Sequence, residues 1–383
     1  MEKLKKLTQI DIKKLLNSDL SSLKKQKKAT IDLKPRIPLI NKKVISLDIG
    51  TQNIKVIVGK CSRNKIIIEN AFMFKSSAIN SNEDSLKNIT VLPKEIETFL
   101  INNNIKVKSA NCTGNSTTII NREIIVPYAS EDELETLVKF ELQHYLPINM
   151  DDYIVQFSIL EKIVVDGMDK LRILGIIYPI KLVKNYMLLL QNAKLKPNAL
   201  DVNYNSIKKL ILHGDITNEE NAQETIAVID MGAESLEADI YTNHNLEFTR
   251  MIKSGGKQID IKIAQSFNMS IISAETEKIQ QCDLMNYEKS EISSLIREEV
   301  EEWMGEIGRI IQFFKNKKVG NDISKIFIHG GSSRLKGLEE YMEAKFNTPV
   351  KHIDNLNNVV FNKDVNSEEI DHYLNAIGAI IRV

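Results

Sequence analysis

The sequence predicts an α/β fold in which two duplicated lobes face each other across a cleft. Three observations carry that expectation. Asp48 and Asp230 each end a short apolar strand and open an Asp-x-Gly turn, 182 residues apart. Two further strand-like runs follow each turn: Ile54–Val58 and Lys65–Ile68 after the first, Leu236–Ile240 and Leu246–Phe248 after the second. Elsewhere, segments of helical period alternate with short β-branched runs, as in a layered α/β chain.

The bulk numbers agree with this and narrow the function. A chain of 383 residues can hold two domains and a substantial core. Its 43% apolar and 27% charged residues are ordinary for a soluble protein. A net charge of zero hides an asymmetry, because residues 1–43 carry +9 and the remainder −9. Cys61, Cys112 and Cys282 are few and far apart, so they support neither a disulfide framework nor a zinc site. The lysine-rich start lacks the apolar stretch of a signal peptide, and no run approaches the length of a membrane span. A cytoplasmic location is expected.

Taken in order, residues 1–43 form a separate basic tail. Leu4, Leu7, Ile10, Leu16, Leu20 and Leu23 recur among lysines, and Pro35 and Pro38 end any helix before the first strand. Such a tail is either solvated and disordered or an amphipathic segment that meets an anionic membrane or an acidic partner. A first lobe is expected over 44–222, with a meander to about Phe74, a helix at Pro93–Asn103 and strands near Ser109–Gly114 and Ile119–Val126. Ser130 followed by Glu133 forms a capping box, opening a helix that buries Leu134, Leu137, Val138, Leu142 and Tyr145 and stops before Pro147. Glu141 lies on that apolar face, where a carboxylate is more often ion-paired than functional. Strands at Tyr153–Lys162 and Lys170–Tyr178 and a helix at Lys181–Ala193 complete a small inserted α/β subdomain, about 125–200.

A helix from Asn203 leads to the second lobe, 223–383, whose meander starts at Thr225. The stripe Leu295, Ile296, Trp303, Ile307, Ile310 and Ile311 predicts a long amphipathic helix over Ile292–Phe314, most simply packed in the core. The strand Lys325–His329, the turn Gly330–Arg334 and the helix Leu338–Phe346 follow. A last helix, about 366–383, carries the small residues Ala376, Gly378 and Ala379 and is expected to pack back on the first lobe.

The paired turns suit phosphate and Mg²⁺ together. Glycine lets backbone N–H groups approach phosphate oxygens, the Thr51 hydroxyl can donate, and an aspartate can hold hydrated Mg²⁺. One such turn alone is usually just a turn; two in matching strand contexts point to a ligand. Gly330-Gly331 between strand and helix lets backbone lie against a flat ligand such as a purine, and Arg334 can stack on it. Glu275 and Lys278, one helical turn apart, place an acceptor for ribose hydroxyls beside a donor, although such pairs are usually surface ion pairs.

With these elements in this order, the chain resembles the actin-like (ribonuclease H-like) ATPase superfamily, which includes FtsA, MreB, sugar kinases and heat-shock chaperone ATPases. Within it, residues 44–383 are most similar to the PilM family of type IV pilus assembly. That resemblance also rests on Phe140-Glu-Leu-Gln-His-Tyr-Leu-Pro147, Leu200-Asp-Val202, Gly255-Gly256 and Gly330-Gly-Ser-Ser-Arg-Leu-x-Gly337-Leu338. It implies ATP and Mg²⁺ as cofactors, with Asp48 and Asp230 as metal-holding and catalytic carboxylates. Gly50, Thr51 and Lys55 match the first phosphate motif; Gly232, Ala233 and Ser235 match the second. Glu275 and Lys278 match the ribose pair, and Gly330, Gly331 and Arg334 the adenosine turn.

Two departures bear on activity. The second phosphate motif usually reads D-x-G-x-x-T-T-D; here Glu234 puts a carboxylate beside the phosphates, a repulsion that Mg²⁺ or a lysine must offset. Related ATPases orient the attacking water with Glu or Gln at the connecting helix, where this chain has Asn203, which positions water but is no base. Nucleotide binding with slow or absent hydrolysis is therefore expected.

The resemblance further implies a protein peripheral to the inner face of the cell membrane. Its partner would be the N-terminal segment of a PilN-like bitopic membrane protein, with other pilus platform proteins, assembly ATPases and a homo-oligomer as further partners. PilN segments follow a pattern like I-N-L-x-P, and Ile31-Asp-Leu-Lys-Pro35-Arg36 in the tail resembles it, so the tail is a candidate for the same groove. The alternatives are an FtsA-like division protein, disfavoured because no amphipathic membrane helix follows Val383 in the sequence, and a small-molecule kinase using Asp201 as its base. A specific nucleic-acid role lacks an aromatic or helix-turn-helix accompaniment.

Overall fold

A computed structural model of the chain describes residues 42–62, 65–75, 91–213, 224–317, 322–353, 356–362 and 367–382. The basic tail up to residue 41, with the Ile31–Arg36 segment, lies outside the described residues.

Two sheets share one plan. In the first, β1 (Val44–Ile49), β2 (Asn53–Ser62) and β3 (Lys65–Lys75) form the antiparallel meander, because each is built around a run of β-branched and apolar residues that favours strand. Next to β1 lies β4 (Ser109–Thr113) in parallel, reached through the helix α1 (Val91–Asn102). In the second sheet, β9 (Thr225–Met231), β10 (Leu236–Thr242) and β11 (Asn245–Ile252) repeat the meander, and β12 (Lys325–His329) lies parallel to β9. The full orders are β14-β3-β2-β1-β4-β8 and β11-β10-β9-β12-β13, with β8 at Lys196–Asp201, β13 at Val350–His352 and β14 at Val359–Phe361. Leaving out β14, the two orders superimpose strand for strand.

Each sheet packs into a core, and the first core also takes in Ile226, Val228, Tyr241 and Phe327 from one face of the second sheet. On the first pack α3 (Ile180–Asn192), α4 (Asn203–His213) and α9 (Leu374–Gly378), around Ile45, Leu47, Ile57, Leu210 and Ile377. On the second pack α5 (Gly256–Ser266), α6 (Ile271–Gln281), α7 (Glu291–Lys317) and α8 (Leu338–Phe346), around Ile229, Ile296, Trp303 and Ile328. A third sheet, β5-β7-β6, combines Ile120–Pro127, Met168–Pro179 and Tyr153–Val165 with α2 (Glu131–Tyr145), and it has a small core at Val138, Leu142, Ile173 and Ile177.

The structure differs from the sequence reading in four places. Helix α3 and strand β8 belong to the first lobe's core, so the inserted subdomain, expected over about 125–200, ends with its last strand at Pro179. The chain returns to the first lobe at β14, which adds to β3 in parallel, before the last helix begins. That last helix is two pieces, a 3₁₀ turn at Ser367–His372 and α9. Asp371 is drawn toward Arg334 (2.6 Å) and His352 (3.3 Å), whereas α9 sits against α4, so the two ends serve different neighbours. In α2, Tyr145 points outward with the Arg122 guanidinium 5.1 Å from its ring centre. At the start of that helix, the Ser130 backbone N–H and hydroxyl both donate to Glu133 Oε2, at 3.3 and 2.7 Å.

Candidate functional site

Strand β1 carries Asp48 to the edge of the interlobe cleft, with Lys55 of β2 and Thr113 of β4 as its Cα partners. Lys55 Nζ donates to Asp48 Oδ2 at 2.8 Å, and the Asp48 side chain is only 3% exposed. Burial alone would lower the ammonium's pKa, but Asp48, then Asp230, more than offset it and hold it above the ordinary lysine value. A fixed cation therefore stands in the field of both carboxylates.

Asp230 occupies the equivalent place in β9, with Glu237 of β10 and His329 of β12 as partners. Its Oδ2 accepts from Asn375 Nδ2 at 2.8 Å and from Asn203 Nδ2 at 3.4 Å. Burial draws the His329 imidazole below its ordinary value against the opposing pull of Asp230, so its Nδ1, 3.9 Å from Asp230 Oδ1, belongs to a neutral ring at pH 7. Burial, then the neighbouring Asp239 and Asp230, pushes the Glu237 carboxyl well up and favours its protonated form. The two walls are chemically unequal: a cation holds Asp48, while two amides, an imidazole and a neutral acid surround Asp230.

The turns are braced from behind. The Gly232 carbonyl accepts from Gly256 N–H (3.2 Å) and Ser332 Oγ (2.9 Å), and Gly232 N–H donates to Ser235 O (3.0 Å). Gly330 has a φ of 92°, and a Cβ there would lie 2.7 Å from Asp230 Oδ1, so glycine lets this turn approach the acidic one. Above Gly331, a Cβ would meet nothing within 4 Å, leaving open cleft over the backbone. Glu234, the unexpected carboxylate, accepts from Lys257 Nζ at 2.7 Å. The first turn of α5 thus supplies a counter-charge for Glu234.

Glu275 and Lys278 share a face of α6 but do not pair with each other. Glu275 reaches across the cleft to Lys75 Nζ (2.8 and 2.9 Å) and Gln52 Nε2 (2.9 Å), both on the first lobe. Lys278 Nζ bonds Asp260 Oδ1 at 2.7 Å and the Gly256 carbonyl at 3.2 Å. Arg334 is held by Asp371 on one side.

Asp48, Gly50, Thr51 and Lys55 border one cleft of about 420 Å³ together with Asn203, Asp230, Gly232, Ala233, Ser235, Glu275, Lys278, Gly330, Gly331 and Arg334. The same cleft is lined by Gln52, Asn115, Glu237, Ser332 and Asn375, which sequence reasoning did not single out. Glu237 had a signal, since it follows Asp230 at the spacing by which Lys55 follows Asp48. Asn375 had none, because it arrives from the far end of the chain. Asp201, the base that a kinase reading requires, is 5% exposed at the end of β8. It is ion-paired with Lys209, lies 3.7 Å from Arg382 and accepts from Asn205 Nδ2 at 2.7 Å. Burial would raise its carboxyl, but Lys209 and Arg382 outweigh that and hold it below the ordinary value. Asp201 is a structural anion.

Two meander sheets of one order, facing a cleft with an acidic turn on each wall, define the actin-like ATPase fold. The sequence model of the family described as "Type IV pilus assembly protein PilM" matches residues 46–382, and the chain belongs to that family. Among solved structures, it is similar to the "PilM-PilN type IV pilus biogenesis complex", with a TM-score of 0.76 and 21% identity over 90% of this chain and 98% of that one. It is also similar to the ethanolamine utilization protein EutJ from Carboxydothermus hydrogenoformans, with a TM-score of 0.50 and 11% identity over 95% and 98% of the two chains. Among the described residues, no helix is long and apolar enough to cross a membrane.

Proposed function

We propose that the chain binds ATP with Mg²⁺ in the interlobe cleft and acts as a nucleotide-responsive scaffold of the type IV pilus platform. The observation that carries this reading is the convergence of Asp48, Lys55 and Asp230, from both lobes, at one end of a cleft whose other end is open over Gly331. The residues fit the group. Asp48 and Asp230 would hold hydrated Mg²⁺ from opposite walls, and Lys55 would neutralise phosphate charge. The turn backbones that follow Gly50 and Gly232 would face phosphate oxygens, and the Lys257–Glu234 pair keeps the second turn from repelling them. Glu275 would accept from ribose hydroxyls, and the base would lie against Gly330-Gly331.

Hydrolysis is slow or absent in this reading. The Asn203 carbonyl oxygen accepts from Thr113 Oγ1 at 3.1 Å while its amide faces Asp230, so both ends of the side chain that would orient water are engaged. Bound nucleotide would change the angle between the lobes and so the surface offered to a partner. That partner is a PilN-like bitopic membrane protein, bound through its N-terminal segment, which places this chain on the inner face of the membrane beside other platform proteins.

Titration calorimetry with ATP and Mg²⁺, then with a PilN N-terminal peptide in the presence and absence of nucleotide, tests the reading. It is supported if ATP binding depends on Asp48 and changes peptide affinity. Absence of ATP binding, or many Asp48-dependent turnovers per second, would overturn it.

A further inference from the structure

We infer that Asn375 is a positioning residue for Asp230, an inference that rests on the nucleotide reading above and assigns a role to a residue outside its motifs. Three observations carry it. First, Asn375 Nδ2 donates to Asp230 Oδ2 at 2.8 Å, the shorter of the two amide contacts on that carboxylate. Only the amide nitrogen can face a carboxylate oxygen, so chemistry fixes the orientation of this side chain. Second, Asn375 lines the cleft yet is only 4% exposed, and its buried Oδ1 has no hydrogen-bond partner among the described residues. A buried amide oxygen left unpaired is destabilising, and a donor arriving with a ligand would recover that cost. Third, Asn375 cannot drift. It sits on α9, and a Cβ on Gly378 of that helix would fall 2.1 Å from the Ser206 carbonyl oxygen of α4.

The geometry therefore divides the labour at Asp230. Asn375 takes Oδ2 from the first lobe, which fixes the carboxylate's rotation and leaves Oδ1 directed toward the turn at Gly330. A donor brought by a bound ligand, such as a metal-held water, would satisfy the unpaired Asn375 Oδ1. Among the described residues no side-chain amide bonds Asp48; its Oδ2 is fixed by Lys55 instead. Lobe II's acidic turn is thus aimed by a side chain that belongs to the core of lobe I, so the cation site is complete only when the lobes are correctly placed. Groups that orient a metal-binding side chain typically change metal affinity about 10- to 100-fold when removed.

The test is the metal dependence of nucleotide binding by the full chain. ATP affinity is measured with Mg²⁺ and with excess chelator for the wild type, Asn375→Leu and Asn375→Gln, alongside thermal melting without ligand. The expected result for Asn375→Leu is a loss of about tenfold or more in the Mg²⁺ enhancement, with chelator affinity unchanged, and Asn375→Gln recovers part of it. Mn²⁺ titration followed by electron paramagnetic resonance should show the same loss. A merely structural role would lower the melting temperature and leave the ratio of the two affinities at its wild-type value; that result overturns the inference while the nucleotide reading stands. A wild type that binds no nucleotide overturns both.

Discussion

Asp48 faces Lys55 across the β1–β2 pairing, and Asp230 faces Glu237 at the equivalent position of β9–β10. The duplication has kept the backbone register and reversed the charge. One wall of the cleft holds an ion pair; the other holds a carboxylate beside a carboxyl group that burial keeps protonated.

Removing Lys55 should therefore cost more than replacing Glu237 by its amide. Lys55→Met leaves Asp48 buried without its cation and is expected to destabilise the fold by about 3 kcal/mol. Glu237→Gln replaces a group that is already neutral and should cost less than about 1 kcal/mol. Urea unfolding of both variants measures the difference.

Lys257→Ala should weaken ATP binding by freeing the charge of Glu234 beside the second turn. Both partners are about one third exposed, so the effect is modest, about two- to fivefold. Pairing the change with Glu234→Gln should restore affinity, and calorimetry at two salt concentrations checks that the effect is electrostatic.

Asp201→Asn should destabilise by about 3 kcal/mol, because it strands Lys209 in the first core, while leaving ATP affinity within twofold. The carboxyl is held below its ordinary value, so its contribution is present above the unfolded aspartate value and lost as pH falls through the lowered folded one. Acid unfolding of the variant should accordingly be shallower than that of the wild type.

Asp239 gives the opposite slope. Burial pushes its carboxyl up to about 8. The native state then holds a proton that the unfolded chain releases, so stability falls as pH rises from the ordinary aspartate range to about 8 and levels off above it. Asp239→Asn should remove part of that slope in thermal melts taken across this window.

Gly378→Ala should separate α9 from α4, since the added methyl would overlap the Ser206 carbonyl oxygen, with an expected cost of about 2–3 kcal/mol. Because α9 carries Asn375, the same variant should lose Mg²⁺-dependent ATP affinity. Limited proteolysis and calorimetry together report both losses.

Much of this molecule was legible in its sequence for local reasons. Strand alternation, the Asp-x-Gly turns at 48 and 230, and the apolar stripe through Trp303 are set by residues within a few positions of each other, so the meanders, the turns and α7 follow from periodicity and turn chemistry. Position 234 was also readable as a misplaced charge. Its remedy, Lys257, was not, because the turn and α5 meet only through tertiary packing. For the same reason, strand β8, the broken final helix and the return of β14 to the first sheet escaped the sequence. Each depends on partners that local pattern does not encode: β4 for β8, Arg334 and His352 for Asp371, β3 for β14. The sequence by itself determined a duplicated pair of acidic turns. Only the tertiary structure decided how each is held, because Lys55 is a neighbour along the chain while Asn375 comes to Asp230 across 145 residues.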